Sequence, residues 1–502
     1  MIVRNKMPAS HVLAFLALSV LVLIPFLLCS PLPLSDYPNH LARMYLIAKL
    51  PHSAQLAQYY SLDWSFVPNL AMDLIVPRLI PPLSAESATL LFTAVALLLM
   101  ASGAIALHRA LYGSSSLAPF AAFLLLYNRH LLWGFLNYLF AVGLALWLMA
   151  FHVRMRDRSP ALRILLFSLL STILLVAHLH AFASYAILVG GYELSITWRQ
   201  WREKRPLDWR SLLVAAAQFV LPIVLFFRFS ATMGRSGENQ FGNPIDKAVG
   251  LLDLFNNYNL PLDAFSFVLL VGLAAWALAT KRLQLHRLMI LPLAILFVLY
   301  LAIPHQFFSS YGADRRLLVM IALVAVAAMR IQVRSRRALA LVCAAIALLF
   351  VARMAVIGVN WMHARAVYAP VMEAIDRLQP GSRVAVLYGC TDYPSLQNPP
   401  LEHVANMAVV KKDVYINSLF AEPGQQPLRV VTGFHAKYSV SPSQTFRMKA
   451  SQMGTANPFK ELPLERFDYV LMINPQFFVK ERPAAMHLAF EKDNVRLYTV
   501  TH

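Results

Sequence analysis

Charged residues are scarce in this chain. Asp, Glu, Lys and Arg make up only 14% of its 502 residues, whereas 59% are hydrophobic, and a soluble protein needs more charge to keep its surface hydrated. Cysteine is scarce too, and Cys29, Cys343 and Cys390 form neither a paired framework nor a metal-ligand spacing. The sequence therefore excludes a soluble protein and a disulfide scaffold, and it predicts a polytopic membrane protein.

Several familiar motifs are also missing. The sequence contains no phosphate loop, no glycine-rich dinucleotide fingerprint and no repeat of fixed period. It lacks a pair of broken spans at matching positions of two halves, which is the sign of an inverted-repeat transporter. The net charge of +19 does not indicate a nucleic acid partner, because the Lys and Arg residues stand in short runs between apolar spans, as the positive-inside rule predicts.

The hydrophobic runs predict about 11 transmembrane helices. Arg4 and Lys6 precede the first span, which places the N-terminus in the cytoplasm and the long loop 31–85 outside. The run 117–127 is too short to cross a bilayer unless it is half-buried in protein, tilted or re-entrant. Every predicted inward end is basic. The spans with defined bounds are 9–30, 86–107, 117–127, 132–151, the pair in 164–197, 211–227, 288–303 and 338–358.

From about Asn360 the composition becomes that of an ordinary soluble protein. The pattern predicts a helix over 364–378 and strands over 383–388, 428–431, 469–473 and 495–500. The fold class is therefore mainly α, a polytopic membrane protein with a C-terminal extracytoplasmic α/β domain. We expect a transmembrane domain over 1–358, with its first external loop 31–85, and an extracytoplasmic domain over 359–502.

The stretch 34–43 is the most informative part of the first external loop, because it brings an acid, an imidazole and a guanidinium together at a membrane surface. Asp36 has two compatible interpretations. Either Asp36 or the neighbouring Ser35 is the N-cap of a helix over 40–50 that lies in the membrane interface, or Asp36 is a general base whose pKa is raised by partial withdrawal from water. His40 stands one helical turn away and is able to pair with Asp36, and Arg43 is expected to anchor a headgroup.

The order of these features resembles the GT-C superfamily of integral-membrane glycosyltransferases. The resemblance consists of an N-terminal span, an external loop opening with Asp-Tyr-Pro-Asn-His at 36–40, an interfacial helix, many spans and an external C-terminal domain. It implies a polyprenyl-phosphate-linked sugar as donor, inversion at the anomeric carbon, and an acidic residue of the first external loop as catalytic base or acceptor-orienting group. By position that residue is Asp36. No Asp-Asp or Asp-Glu pair accompanies it, so we assign no metal site, and a divalent cation stays open.

Other polar residues are candidates for the same site. Asp63 and Asp73 orient an acceptor or are ordinary interfacial residues. A lipid phosphate requires fixed cations at the outer headgroup plane, and Arg315 with Arg316 are the first choice because they begin a span on the less basic side. The alternative is that these two arginines pair with Asp314 and have a structural role. The further candidates are Arg129 with His130, then His305 for the phosphate, and His178 and His180 for polar contacts with substrate.

The resemblance thus implies an inverting hexosyl- or pentosyltransferase of the cell envelope, in the bacterial inner membrane. Its partners would be a polyprenyl-phosphate-linked sugar donor, membrane lipid, and a glycan, lipid or protein acceptor. The alternative is a transporter or flippase of a lipid-linked or polar solute, which requires charges near the middle of several spans. A third class is a membrane scaffold whose external domain binds a partner.

Overall fold

The computed structural model describes residues 7–231, 239–307, 310–333, 335–391, 399–421, 424–431, 446–452, 457–460, 462–478 and 481–502. The protein is mostly helical. The helices are α1 (Ala9–Leu23), α2 (Tyr37–Lys49), α3 (Ala71–Leu79), α4 (Ala85–Tyr112), α5 (Arg129–Trp133), α6 (Leu136–Met155), α7 (Pro160–Ala177), α8 (Leu179–Arg202), α9 (Trp209–Ala217), α10 (Val220–Phe229), α11 (Pro244–Gly250), α12 (Leu260–Ala279), α13 (Arg287–Ala302), α14 (Ala313–Ala328), α15 (Arg336–Asp376) and α16 (Met407–Lys412). The strands are β1 (Tyr60–Leu62), β2 (Leu283–Leu285), β3 (Met329–Ile331), β4 (Arg383–Cys390), β5 (Tyr415–Ile416), β6 (Leu428–Val430), β7 (Phe446–Lys449), β8 (Tyr469–Ile473), β9 (Met486–Lys492) and β10 (Val495–Val500).

Seven helical segments in the described part of the chain are long and apolar enough to cross a membrane. Several of them expose large apolar side chains, as lipid-facing helices do. The predicted class, an integral membrane protein with a strand-containing C-terminal domain, is confirmed. The seven segments are Ala9–Leu27, Ala85–Tyr112, Leu136–Met155, Pro160–Ala177, Trp209–Phe229, Leu260–Ala279 and Arg336–Asp376.

The predicted short span 117–127 is a 3₁₀ helix, Ala118–Leu125. Eight residues of 3₁₀ helix rise only about 16 Å, roughly half of the hydrocarbon thickness. Phe123, Leu124 and Leu125 are buried in the protein. The apolar run therefore reflects burial among neighbouring helices, one of the three alternatives that its length left open.

One predicted boundary is wrong. The sequence indicated a span over 338–358 and a separate helix over 364–378, whereas α15 runs without interruption over 41 residues, or roughly 60 Å. The change in composition near Asn360 is real, but it marks a change of surroundings. No proline stands between the two predicted segments, so nothing there forces the backbone out of the helix.

Contacts divide the chain into two compact units. Unit 1 comprises Met1–Ile24, Phe66–Ala71 and Thr93–Ile357, and unit 2 comprises Pro25–Ser65, Met72–Phe92 and Gly358–His502. Unit 1 contains most of the apolar helices. Unit 2 contains most of the first predicted external loop together with the C-terminal segment.

Close helix packing in unit 1 depends on small residues. A Cβ added to Gly143 of α6 would lie 2.5 Å from the Leu99 Cβ of α4, and one added to Gly103 would lie 2.8 Å from the Leu146 Cβ. Small residues allow helices to approach closely in membranes, where packing replaces the hydrophobic effect between helices. Because residue 99 faces 143 and residue 103 faces 146, α4 and α6 run in the same direction.

Unit 2 contains a six-stranded mixed sheet. Its order is β5-β4-β8-β10-β9, with β7 also paired to β4; β4 is parallel to its three partners, and β10 is antiparallel to β8 and β9. A second, two-stranded sheet pairs β1 with β6 in antiparallel register. The first predicted external loop is thus joined to the C-terminal segment by backbone hydrogen bonds, which the sequence did not indicate.

Candidate active site

Asp36 lies at the N-cap position of α2, in unit 2. Its carboxylate makes no capping hydrogen bond, because its backbone (φ −91°, ψ 0°) lies outside the extended region that N-caps normally adopt. Asp36 thus occupies the predicted N-cap position, but its side chain does not cap the helix. The side chain is 41% exposed, so the carboxylate is accessible to a substrate.

The surroundings of Asp36 alter its acidity. Desolvation raises the pKa of the Asp36 carboxyl to about 6, while the positive charge of Arg43 and a hydrogen bond from the Asn39 side chain act in the opposite direction. At neutral pH most of the carboxyl is ionised, yet its proton affinity is higher than that of an ordinary aspartate. A general base works best when its pKa lies near the working pH.

A buried amide network holds the start of α2. Asn39 accepts hydrogen bonds from the Asn406 side chain and from the backbone N–H of Phe420, the latter at 3.3 Å. Asn406 in turn accepts a hydrogen bond from the Ser418 hydroxyl at 2.6 Å. Asn39, Asn406 and Ser418 are all buried. Satisfied buried networks of this kind are rigid, and this one fixes the backbone that carries Asp36.

His403, which the sequence analysis did not single out, lies beside Asp36. Its Nε2 atom is 3.7 Å from Asp36 Oδ1 and 4.0 Å from Glu402 Oε1, and Glu402 pairs with Arg447. Burial lowers the pKa of the His403 imidazole to about 4, so the ring is neutral at pH 7. We call Asp36, Asn39, Glu402 and His403 the acid site.

The helix predicted to lie in the membrane interface is buried within unit 2, where α2 packs against α16. The expected headgroup anchor, Arg43, is accordingly 4% exposed. Its Nε and Nη2 atoms lie 2.8 Å and 3.2 Å from the two oxygens of Asp73, and Nη1 donates to Gln426. Asp73 is 1% exposed. An orienting role for Asp73 would therefore act through Arg43.

Two other candidates lie in the same unit. Asp63 follows β1, and its carboxylate lies 3.2 Å from Nη2 of Arg429, a residue of the paired strand β6. This ion pair links the two strands. His40 is half-buried in α2, and its backbone N–H donates to the Asp36 carbonyl at 3.0 Å.

Unit 1 brings the predicted phosphate-binding residues together. Arg316 donates to the Ser310 hydroxyl at 2.8 Å, and its guanidinium lies 4.6 Å from the centre of the Phe135 ring. Among the described residues no carboxylate forms an ion pair with Arg316. A half-buried guanidinium without a carboxylate has capacity to bind an anion.

Arg315 differs from its neighbour. Its guanidinium donates to Asp253 at 2.8 Å, whereas Asp314 pairs with Lys247 at 2.7 Å and with His305 at 2.9 Å. The suggested pairing of Asp314 with the arginine side chains is therefore wrong, because Lys247 and His305 occupy that carboxylate. The Arg315 charge is balanced by Asp253, a residue that the sequence did not indicate.

Arg129 and His130 complete this region. The Arg129 guanidinium lies 5.1 Å from the centre of the Trp133 ring. His130 is fully buried, and neither of its ring nitrogens has a hydrogen-bond partner in the described part of the chain. Burial, reinforced by the charges of Arg316, Arg315 and Arg129, lowers the pKa of His130 well below its usual value. We call Arg129, His130, Arg315 and Arg316 the basic cluster.

His178 and His180 lie near the basic cluster in unit 1. The pair of spans predicted in 164–197 has its turn at His178, whose extended backbone separates α7 from α8 and whose ring accepts a hydrogen bond from the His180 N–H at 3.1 Å. The His180 ring hydrogen-bonds the Ala313 carbonyl at 2.9 Å. The described residues contain no group of three His, Cys, Asp or Glu side chains that could hold a metal ion.

No protein-family model matches this chain, and no curated protein sequence matches it. A solved structure does match over 97% of this chain and 98% of its own length, with a TM-score of 0.52: the crystal structure of ArnT from Cupriavidus metallidurans bound to undecaprenyl phosphate. The fold of this chain is similar to that of ArnT. The sequences are 11% identical, so the likeness to ArnT shows the fold alone. It supports the GT-C-like fold that the resemblance implied.

Proposed function

We propose that this chain is a membrane glycosyltransferase that moves a sugar from a polyprenyl-phosphate-linked donor to an acceptor on the extracytoplasmic face of a bacterial inner membrane. The observation that carries the proposal is the accessible Asp36 carboxylate, with a pKa of about 6, in an ArnT-like fold. The ArnT structure was solved with undecaprenyl phosphate, which supports a lipid phosphate as part of the donor.

The proposed reaction is a direct displacement. The acceptor hydroxyl oxygen forms a bond to the anomeric carbon while the bond from that carbon to the phosphate oxygen breaks, which inverts the configuration. Asp36 takes the hydroxyl proton as the nucleophile attacks, and the electron pair of the broken bond leaves with the lipid phosphate. A base whose pKa is near 6 takes up this proton at neutral pH more readily than an ordinary aspartate.

We assign the lipid phosphate to the basic cluster. Negative charge develops on the phosphate as the sugar leaves, and fixed cations that are already in place stabilise that charge without reorganising. Arg316 and Arg129 are the stronger ligands in this proposal, because Asp253 balances Arg315. The neutral His130 ring would add a hydrogen-bond donor, and His305 would act indirectly through Asp314.

The remaining candidates keep subordinate roles. Asp73 would position Arg43, whose charge acts on Asp36. His40, Asp63, His178 and His180 stay predictions as residues that bind or orient the acceptor.

The test is a deletion strain complemented with the wild-type chain or with Asp36→Asn. Mass spectrometry of the glycolipids and cell-envelope glycans should reveal one sugar that is missing in the deletion strain and restored by the wild type. Membranes of that strain then supply donor and acceptor for assays with purified protein. An unchanged glycan profile in the deletion strain, under conditions in which the chain is expressed, would contradict the proposal.

A further inference from the structure

A groove of about 190 Å³ opens on unit 1, away from the residues discussed above. It is lined by α4 and α6, by α1 and by Met7, which stands two residues before α1. All three helices belong to segments long and apolar enough to cross a membrane, so the groove lies among membrane-spanning helices. Its lining residues are Met7, Phe15, Ser102, Ile105, Ala106, Arg109, Trp147 and Arg154.

The groove has an apolar end and a cationic end. At the apolar end the Trp147 indole N–H donates to the Ser102 hydroxyl at 3.0 Å, which satisfies the indole N–H. Arg109 follows Ser102 by seven residues in α4, and Arg154 follows Trp147 by seven residues in α6. Since these helices run in the same direction, both arginines lie about 10 Å further along the same axis. Two guanidinium groups therefore stand at one end of a mainly hydrocarbon wall.

The cationic end lies far from the basic cluster. Tyr138, in the first turn of α6, donates to the Arg316 carbonyl, whereas Arg154 stands in the last turn of the same helix. Sixteen residues of helix separate them, or about 24 Å, which is most of the hydrocarbon thickness of a bilayer. The groove and the basic cluster therefore serve opposite membrane faces, and the groove is separate from the proposed donor site.

We propose that this groove binds a phospholipid with an anionic headgroup, whose phosphate pairs with Arg109 and Arg154 and whose acyl chain follows Phe15, Ile105 and Trp147. Guanidinium groups match phosphate oxygens in charge and geometry. The described lining residues of the groove include two guanidinium groups and no carboxylate, which favours a headgroup with net negative charge over a zwitterionic one. Basic pockets between membrane helices are typical sites for such headgroups.

The lipid would also stabilise the protein. In the most apolar 18-residue stretch of Ala9–Leu27 only 22% of the residues are buried, against 67% in the corresponding stretches of Ala85–Tyr112 and Leu136–Met155. The first span therefore has little protein contact, and a bound lipid adds contact surface between it and its neighbours. Binding to the folded state raises the melting temperature.

The experiment uses the purified full-length chain, delipidated and titrated with dioleoyl-phosphatidylglycerol or dioleoyl-phosphatidylcholine. Native mass spectrometry counts retained lipid, and light scattering gives the melting temperature. Arg109→Gln/Arg154→Gln removes the cationic end, and Ala106→Phe fills the apolar end with both arginines in place. Arg158→Gln/Arg202→Gln is the matched control, because both arginines are exposed and their loss also removes two positive charges.

We expect the wild type and the control to retain phosphatidylglycerol over phosphatidylcholine and to melt at a higher temperature with it. Both groove variants should bind phosphatidylglycerol about tenfold more weakly. Brominated phosphatidylglycerol should quench the Trp147 fluorescence, measured as the difference from Trp147→Phe, more than brominated phosphatidylcholine does. Equal loss in the control, no headgroup preference in the wild type, or displacement of phosphatidylglycerol by equimolar undecaprenyl phosphate would each overturn the proposal.

Discussion

The pH dependence of sugar transfer should report the acidity of Asp36. A carboxyl with a pKa of about 6 is about 90% ionised at pH 7 and only about 10% ionised at pH 5. If Asp36 takes the acceptor proton, kcat/KM should therefore fall roughly tenfold between pH 7 and pH 5. An aspartate with the ordinary pKa of 3.8 would keep about 90% of its activity over the same range.

The assay combines purified protein with membranes of the deletion strain, and the initial rate of product formation is measured by mass spectrometry from pH 4.5 to 8. Asp36→Glu serves as a companion variant, because it keeps a carboxyl but changes its position and acidity. A profile that stays flat down to pH 5, with the protein still folded, would refute the assignment of Asp36 as a base with raised pKa.

The same shift has a consequence for stability. Because the pKa of this acid is higher in the folded state than in the unfolded state, ionisation of Asp36 opposes folding. This loss of folding stability is absent below the pKa of the unfolded state. It grows as the pH rises from that value through the pKa of the folded state, and it is constant at higher pH. Asp36→Asn should therefore melt at the same or a higher temperature than the wild type at pH 7. A loss of activity in this variant would then not result from unfolding.

Three further outcomes are expected. Asp73→Asn should destabilise the protein by about 3–5 kcal/mol, because it leaves the buried Arg43 without its carboxylate; an unchanged melting temperature would contradict this. Arg316→Gln should weaken retention of undecaprenyl phosphate in native mass spectrometry by about tenfold, whereas the exposed Arg228→Gln should not, and equal retention in both variants would argue against the phosphate assignment. His403→Ala should shift the acidic limb of the pH profile downward, because water admitted beside Asp36 lowers its pKa; an unmoved limb would show that His403 does not set the surroundings of Asp36.

The sequence predicted local elements well where the apolar pattern was strong. Strands β8 and β10 match the predicted ranges 469–473 and 495–500, because each is an apolar, β-rich run bounded by turn residues. The prediction failed where the amino-acid composition changes but the backbone conformation does not. In α15 the helix continues through the change in composition near Asn360.

The candidate sites were only partly predictable. Asp36 was found because it opens the first polar loop, and the arginines of the basic cluster because of their position at span ends. Their partners lie far along the chain: Asp253 pairs with Arg315, and His403 approaches Asp36. No local pattern indicates such pairings, since they depend on how distant segments pack.

The measurement that tests the account most directly is sugar transfer by Asp36→Asn. The substitution keeps the size of the side chain and removes its ability to take a proton. We expect at least about a hundredfold loss of transfer, with expression, membrane insertion, undecaprenyl phosphate retention and melting temperature preserved. Transfer near the wild-type rate by this folded variant would contradict the central claim that Asp36 is the base.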